Sequence, residues 1–403
     1  MKNKTLGGTL LVAGTTIGAG MLAMPITSAG MGFSFTIILL LILWLLLSYS
    51  ALLFIEVYQT ARIDDGLATL AEQYFGAFGR IISTLSLLIF MYAILSAYVT
   101  GGGSLINGLL SAGLGYDTGK LSIILFTVVL GIFIIIGTSS VDAVNRLFFF
   151  SKIAVFLFVL LMMLPRVSID NLMAMPINNA LMLSAAPVFF TSFGFHVVIP
   201  SIVKYLEGDI RRLRIAILVG TGIPLFAYLL WQLSTHGVLS QSQFLQILQQ
   251  DPTLNGLVNA TREITGSTVL SEAIRVFSSL ALITSFLGVA LSLFDCLKDL
   301  LNRVKVRSNR ASLGLLTFLP PLVFALFYPE GFIMALNGAG VMFAFYGLVL
   351  PVGLAWKARR QSPNLAYRVW GGNPSLLFAL LLGILIIAIP FLVDKGYLPH
   401  VIG

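Results

Sequence analysis

Residues 12–25, Val-Ala-Gly-Thr-Thr-Ile-Gly-Ala-Gly-Met-Leu-Ala-Met-Pro, set glycines, hydroxyls and a proline into a stretch otherwise apolar enough to cross a bilayer. Hydrocarbon offers no water to the backbone groups that a broken helix leaves unpaired. Such a break survives only where protein covers it or where it lines a cavity for polar cargo. It is the constraint that the rest of the chain has to satisfy, and it points to transport.

The remainder of the chain supplies the membrane-spanning mass. Its 403 residues are 58% hydrophobic and 10% charged, against roughly 25% charged in a soluble domain. About 20 apolar residues make a span. Eleven segments qualify, near 6–31, 34–58, 80–110, 119–138, 144–165, 181–201, 212–236, 267–299, 311–328, 331–356 and 374–393. The expected fold is an all-α integral membrane protein, a single transmembrane domain over residues 1–403. The longest polar connection, 237–266, is too short for a core of its own. The first span is interrupted by Gly14, Thr15, Thr16 and Gly18 and runs on into further spans, so it reads as retained rather than as a cleavable signal.

The net charge of +8 is explained by placement. With eleven spans and a cytoplasmic N-terminus, 19 of the 24 lysines and arginines fall on the inner side; Lys120, Arg166, Arg262, Arg275 and Lys395 fall on the outer side with the C-terminus. That asymmetry is an orientation signal, and it removes the reason to invoke nucleic acid. The single cysteine, Cys296, excludes an intramolecular disulfide and argues against a thiolate metal site. No cofactor and no metal are expected.

A second lesion matches the first. In the sixth segment Thr191-Ser-Phe-Gly-Phe-His196 is followed by Pro200, again polar and glycine-bearing and then proline-bearing. The two lie five spans apart. Because five is odd, a second five-helix unit enters the membrane from the opposite side. The reading is an inverted repeat of 1–165 (spans 1 to 5) and 181–356 (spans 6 to 10), with 374–393 as an appended eleventh span. Paired interrupted helices in two halves mark a midplane binding site. Half-helix ends present N–H groups and a positive dipole end to a carboxylate, and free carbonyls to an ammonium or cation. Gly14 and Gly18 also fit a small-residue packing motif. The neighbouring hydroxyls and the matching lesion favour the break.

These runs resemble those of the bacterial hydroxy and aromatic amino acid permeases. The likeness rests on Gly14 to Pro25, on Phe190 to His196 with Pro-Ser-Ile at 200–202, and on Thr284-Ser-Phe-Leu-Gly-Val-Ala-Leu with Phe294-Asp295. It extends to Phe-Leu-Pro-Pro at 318–321, Phe-Tyr-Pro-x-Gly-Phe at 327–332 and Tyr-Arg-Val-x-Gly-Gly at 367–372. The resemblance implies proton-driven uptake of an amino acid across a bacterial inner membrane, with L-tyrosine the expected substrate. The alternative is tryptophan or another aromatic or hydroxy amino acid, with sodium coupling left open. It also implies the five-plus-five fold of the leucine transporter, with helices 1 and 6 discontinuous and the C-terminus periplasmic.

Site residues follow from that resemblance. Thr15, Thr16, Ile17, Gly18, Ala19 and Gly20 match the unwound part of the first helix, where carbonyls hold the substrate ammonium and N–H groups its carboxylate. Thr191, Ser192, Phe193, Gly194 and Phe195 match the unwound part of the sixth, with Phe195 an expected aromatic gate. In span 3 the Tyr98 hydroxyl can reach the carboxylate, and Gly101 to Gly103 either leave room for a ring or serve packing. His196 can relay a proton or bond a phenol hydroxyl, or sit satisfied by a backbone carbonyl.

Ionisable groups inside a membrane are functional hypotheses by default. Glu56 lies deep in span 2, either exchanging a proton or pairing with Arg62 or Arg80. Lys152 lies six residues past Arg146, about 9 Å deeper along a helix. It resembles the fifth-helix lysine that replaces sodium in some proton-coupled relatives, with snorkelling as the alternative. Thr284 and Ser285 form a hydroxyl pair where sodium-coupled members of the fold hold Na+ together with carbonyls such as those of Gly14 and Ile17. The expectation is H+ rather than Na+. Asp142 reads as a helix cap or a partner of Arg146, and Asp295 as a partner of Lys298.

Rival classes find little support. There is no His-Glu-x-x-His run, no glycine-flanked catalytic serine and no pair of intramembrane aspartates, so a membrane enzyme is not expected. Two dissimilar broken helices suit alternating access better than a symmetric channel, and a receptor on this fold would want an output domain.

Overall fold

The computed structural model of the chain describes residues 4–136, 138–303 and 305–401; the side chains of residue 112 and of 137–146, Asp142 and Arg146 among them, lie outside the description. The first span is α1 (Lys4–Thr16) and α2 (Gly20–Ser28), bent by 49° at the break between them. Then come α3 (Phe33–Tyr58), α4 (Leu67–Leu114), α5 (Gly119–Ile136) and α6 (Thr138–Met163). A short α7 (Ile169–Leu172) leads to the sixth span, α8 (Leu181–Ser192) and α9 (Ile199–Tyr205), and on to α10 (Ile210–Val238). The long connection folds as two helices, α11 (Gln241–Gln250) and α12 (Leu254–Thr265). The chain ends with α13 (Thr268–Arg303), α14 (Arg310–Phe327), α15 (Phe332–Ala344), α16 (Leu350–Gln361) and α17 (Gly372–Asp394). Among the described residues 10 helices are long and apolar enough to cross a membrane, or 11 with the bent pair counted as one span. The segments expected from the sequence coincide with them to within a few residues, save that α4 starts earlier and turns at Gly76, whose φ is +66°.

Prolines inside these helices show how a membrane fold keeps its backbone satisfied. A proline has no N–H for the carbonyl four residues before it, and in lipid that carbonyl finds no water. Ahead of Pro25 the freed carbonyl is that of Met21, and it accepts the Trp231 indole N–H of α10 at 3.1 Å. Ahead of Pro320 it is that of Leu316, which accepts the Tyr92 hydroxyl of α4 at 2.8 Å. Ahead of Pro351 it is that of Gly347, in the π-turn 345–349 that joins α15 to α16, and it accepts the Ser50 hydroxyl of α3. At these three prolines the local defect is also a contact between spans.

The corner between α2 and α3 needs glycine. Gly32 has a φ of +74°, and a Cβ there would lie 2.5 Å from the Ala174 carbonyl oxygen. The faces turned to lipid are apolar, with Leu377, Phe378, Leu381 and Ile384 of α17 exposed, as are Leu125, Val128, Val129 and Ile132 of α5.

Glu56 is fully buried, but its partner is neither Arg62 nor Arg80. It takes two bonds from the Arg359 guanidinium of α16, at 2.6 and 2.9 Å, and a third from the Val369 N–H at 2.9 Å. Arg80 pairs with Glu72 and the Arg62 N–H bonds Asp65, because both lie on the loop side of the span. Asp295 forms no ion pair with Lys298 among the described residues. Glu56→Ala strands a guanidinium whose side chain is 9% exposed. That change is expected to cost about 3–5 kcal/mol, read as a lowered melting temperature in detergent, with Glu56→Ala/Arg359→Met recovering part of the loss.

Candidate functional site

The end of α1 can be followed group by group. The Ala13 carbonyl accepts the Ile17 N–H at 3.0 Å, the last regular bond. The Thr16 carbonyl accepts the Tyr228 hydroxyl of α10 at 2.7 Å, and the Ile17 carbonyl accepts Lys152 Nζ of α6 at 3.0 Å. The Ala19 N–H donates to the Ser285 hydroxyl of α13 at 3.0 Å. Among the described residues the Gly14 and Thr15 carbonyls and the Gly18 N–H have no partner. Two glycines are required by close approach. A Cβ at Gly18 would lie 2.8 Å from Ser285 Oγ, and one at Gly20 would lie 2.8 Å from Ser192 Oγ and 3.0 Å from Ser192 Cα.

The sixth span breaks beside the first. α8 ends at Ser192, whose carbonyl lies 2.8 Å from the same Tyr228 hydroxyl. One side chain of α10 therefore joins the two breaks, its ring edge-on to Phe193. Residues 193–195 close in tight turns, and the Gly194 carbonyl and Val197 N–H stay unpartnered among the described residues.

Lys152 is 2% exposed, and its ammonium is engaged by the first break and α13 rather than extended to the surface as a snorkelling lysine would be. Its ammonium donates to the Ile17 carbonyl and, at 3.3 Å, to the Thr284 hydroxyl, which itself donates to the Leu280 carbonyl. The Phe149 ring lies 5.1 Å away. No carboxylate pairs with it among the described residues.

These groups face a cavity of about 570 Å³. Its wall carries both breaks, Tyr98 from α4, Lys152 from α6 and the hydroxyl pair of α13; Phe90, Met91, Ile94 and Leu336 give it an apolar side. It opens toward the face of the α1 N-terminus, between Leu10, Leu11, Phe149 and Phe150, of which Leu10 is 57% and Phe150 72% exposed.

Of the residues expected from the sequence, Thr15, Thr16, Ile17, Gly18, Gly20, Tyr98, Lys152, Thr191, Ser192, Gly194, Thr284 and Ser285 line this cavity. Ala19 joins them through its N–H alone. Phe193, Phe195 and His196 do not line it. Phe195 is fully buried with its ring on His196, and His196 is held among the rings of Phe54, Phe195 and Phe343. Its ring nitrogens make no hydrogen bond of good geometry, with the Leu47 backbone the polar group facing them. Glu56 is engaged by α16, away from the breaks. Gly101 to Gly103 serve packing, since Cβ atoms there would run into Phe332, Phe126 and Ile123. Sequence reasoning missed Tyr228 and Trp231; a mid-span aromatic with a polar handle needs a partner when buried, and both stand on the same face of α10, opposite the first break.

Two discontinuous helices meeting at a mid-membrane cavity define a transporter. The fold is that of the leucine transporter: over 98% of this chain and 91% of the other, the structure is similar to the inward-facing conformation of Mhp1, with a TM-score of 0.66 at 17% identity. Residues 1–390 match the tryptophan/tyrosine permease family, and the chain belongs to it. It is 63% identical to tyrosine-specific transport system 1 of Haemophilus influenzae and 62% identical to tyrosine-specific transport system 2 of the same organism, over the full length of each. The family is one of transport proteins, so this chain is a multi-pass membrane transporter and not an enzyme.

The geometry of the cavity is open to a direct test. In a Cys296→Ser background, Thr15→Cys is expected to react with a polar thiol reagent applied from the side of the N-terminus, while Phe195→Cys stays protected until the protein is denatured. Equal labelling of the two would contradict the cavity described above.

Proposed function

We propose that this protein is a symporter that imports L-tyrosine together with a proton across a bacterial inner membrane by alternating access, its N-terminus cytoplasmic and its C-terminus periplasmic. The names of the Haemophilus relatives support the substrate. The observation that carries the coupling is Lys152: its ammonium bonds the Ile17 carbonyl and the Thr284 hydroxyl, two of the oxygens that a sodium ion would need. A fixed ammonium there supplies the positive charge, and a group able to lose its proton replaces an ion that must be carried.

In this reading the substrate carboxylate meets the N–H groups of Gly18 and Val197 and is drawn by the unpaired Lys152 charge. The ammonium takes the carbonyls of Gly14, Thr15 and Gly194, and the ring lies on the apolar wall of Phe90, Met91, Ile94 and Leu336. Spans 1 to 5 (1–165) and 6 to 10 (181–356) are the inverted halves, with 374–393 appended. Spans 1, 2, 6 and 7 rock against the others, and the cavity open toward the N-terminal face corresponds to release inward.

In proteoliposomes, an inward proton gradient is expected to drive accumulation of radiolabelled L-tyrosine, competed by excess tyrosine more strongly than by tryptophan, phenylalanine or serine. Accumulation driven by sodium alone would reject the coupling, and absence of tyrosine uptake would reject the substrate. Lys152→Ala is expected to retain tyrosine exchange without a gradient while losing proton-driven accumulation. Gly20→Val is expected to abolish tyrosine binding, by placing a side chain against Ser192, without loss of membrane insertion.

A further inference from the structure

The coupling group above lies in the central cavity. At the opposite end of the bundle, a second titratable side chain has a cavity of its own. His236, in the last turn of α10, sets its Nε2 2.9 Å from the Ser28 hydroxyl at the end of α2 and 3.4 Å from the Thr36 hydroxyl in the first turn of α3. Ser28 has its hydroxyl proton on the Met24 carbonyl at 2.7 Å, and Thr36 has its own on the Gly32 carbonyl at 2.7 Å. Both oxygens therefore offer lone pairs, which assigns the imidazole proton to Nε2. The ring bridges the two sides of the glycine corner that follows the broken first span.

Nδ1 is left for the cavity that His236 lines. That cavity measures ≈ 10 Å³, room for about one water molecule. Its wall also carries Asn171 and Gln241, and the Gln241 Nε2 is buried with no hydrogen-bond partner. A water there has polar groups to bond, and Gln241 and Phe244 of the long connection share the cavity wall with the imidazole.

The surroundings hold almost no charge. α2, the first turns of α3, residues 173–180 and α11 contain no ionisable side chain; near α7 the exposed Arg166 and Asp170 are the ionisable groups, and Asp251 beyond α11 is tied to Thr253 and Asn255. An imidazolium would thus rest on hydroxyls and water. A second proton, added at Nδ1, leaves the Nε2–H bond to Ser28 in place and makes it charge-assisted, roughly twice as strong as the neutral bond.

We propose that His236 is a proton-binding group of the transport cycle, which takes its proton from the outer side through this cavity and by doing so holds the α2–α3 corner shut. It rests on the proton-symport reading and adds to it the group through which outer pH favours closure of the outer side.

The test uses right-side-out membrane vesicles, in which the KM for L-tyrosine is measured against outer pH at fixed inner pH, with tyrosine counterflow at matched pH as the control. For the parent protein KM is expected to rise by up to roughly tenfold per pH unit above the pH at which the group loses its proton, the slope of one-proton linkage. His236→Gln keeps an N–H for Ser28 and cannot titrate, so its KM is expected to be flat with pH while counterflow persists. A His236→Gln protein that keeps the parent slope overturns the proposal and leaves the symport reading standing. A parent protein that no imposed proton gradient drives overturns both. Should His236→Gln lose counterflow, Ser28→Ala decides: it retains the imidazole and removes its acceptor, so a flattened slope supports the proposal and an unchanged slope overturns it.

Discussion

In hydrocarbon a backbone hydrogen bond left unmade has no solvent to fall back on, and this asymmetry organises the molecule. Several interruptions of the helices are met by a side chain from another span: Trp231 for Met21, Tyr92 for Leu316, Ser50 for Gly347, and Tyr228, whose one hydroxyl stands between the carbonyls of Thr16 and Ser192. Because the donors come from helices distant in sequence, satisfying the backbone also sets how the helices pack. Apolar faces alone would not do this, since lipid and leucine side chains are equally apolar partners. The carbonyls of Gly14, Thr15 and Gly194 and the N–H groups of Gly18 and Val197, without partners among the described residues, sit at the two breaks beside the cavity.

Lys152 is the electrostatic counterpart of that arrangement. A buried cation without a carboxylate is expensive in a medium of low dielectric constant, and here it is held by a carbonyl, a hydroxyl and the face of Phe149. Glu56 and Arg359, also buried, answer each other and stay out of the cavity. The contrast separates a charge pair that maintains the fold from a single charge left without a carboxylate on the cavity wall.

Much of this was readable from the chain. The spans follow from apolar length, and both breaks from glycine and hydroxyl runs ahead of a proline, because those signals are local. Ile17, Lys152 and Thr284 were each identified as site residues, and the structure brings them within bonding distance. What the sequence does not carry is which way a side chain turns at an irregular backbone. Phe195 and His196 follow Gly194 directly, yet the turns at 193–195 send them into a ring cluster rather than the cavity. The partner of Glu56 lies 303 residues away in α16, and no local spacing could have named it. Tyr228 went unseen for the same reason: its role exists only once the two breaks are adjacent.

The pairing of three of the prolines with a remote donor also bears on the order in which such a chain can change. While Pro25 stands, Trp231 cannot be exchanged for a residue without an N–H, since the Met21 carbonyl would be stranded. Were Pro25 first replaced by a residue that restores the helical bond, Trp231 would be released to vary. Tyr92 with Pro320 and Ser50 with Pro351 are bound by the same rule. Descent among such transporters is therefore channelled: one member of each pair opens the door for the other, and the reverse sequence of substitutions passes through a protein with a hole in its hydrogen bonding.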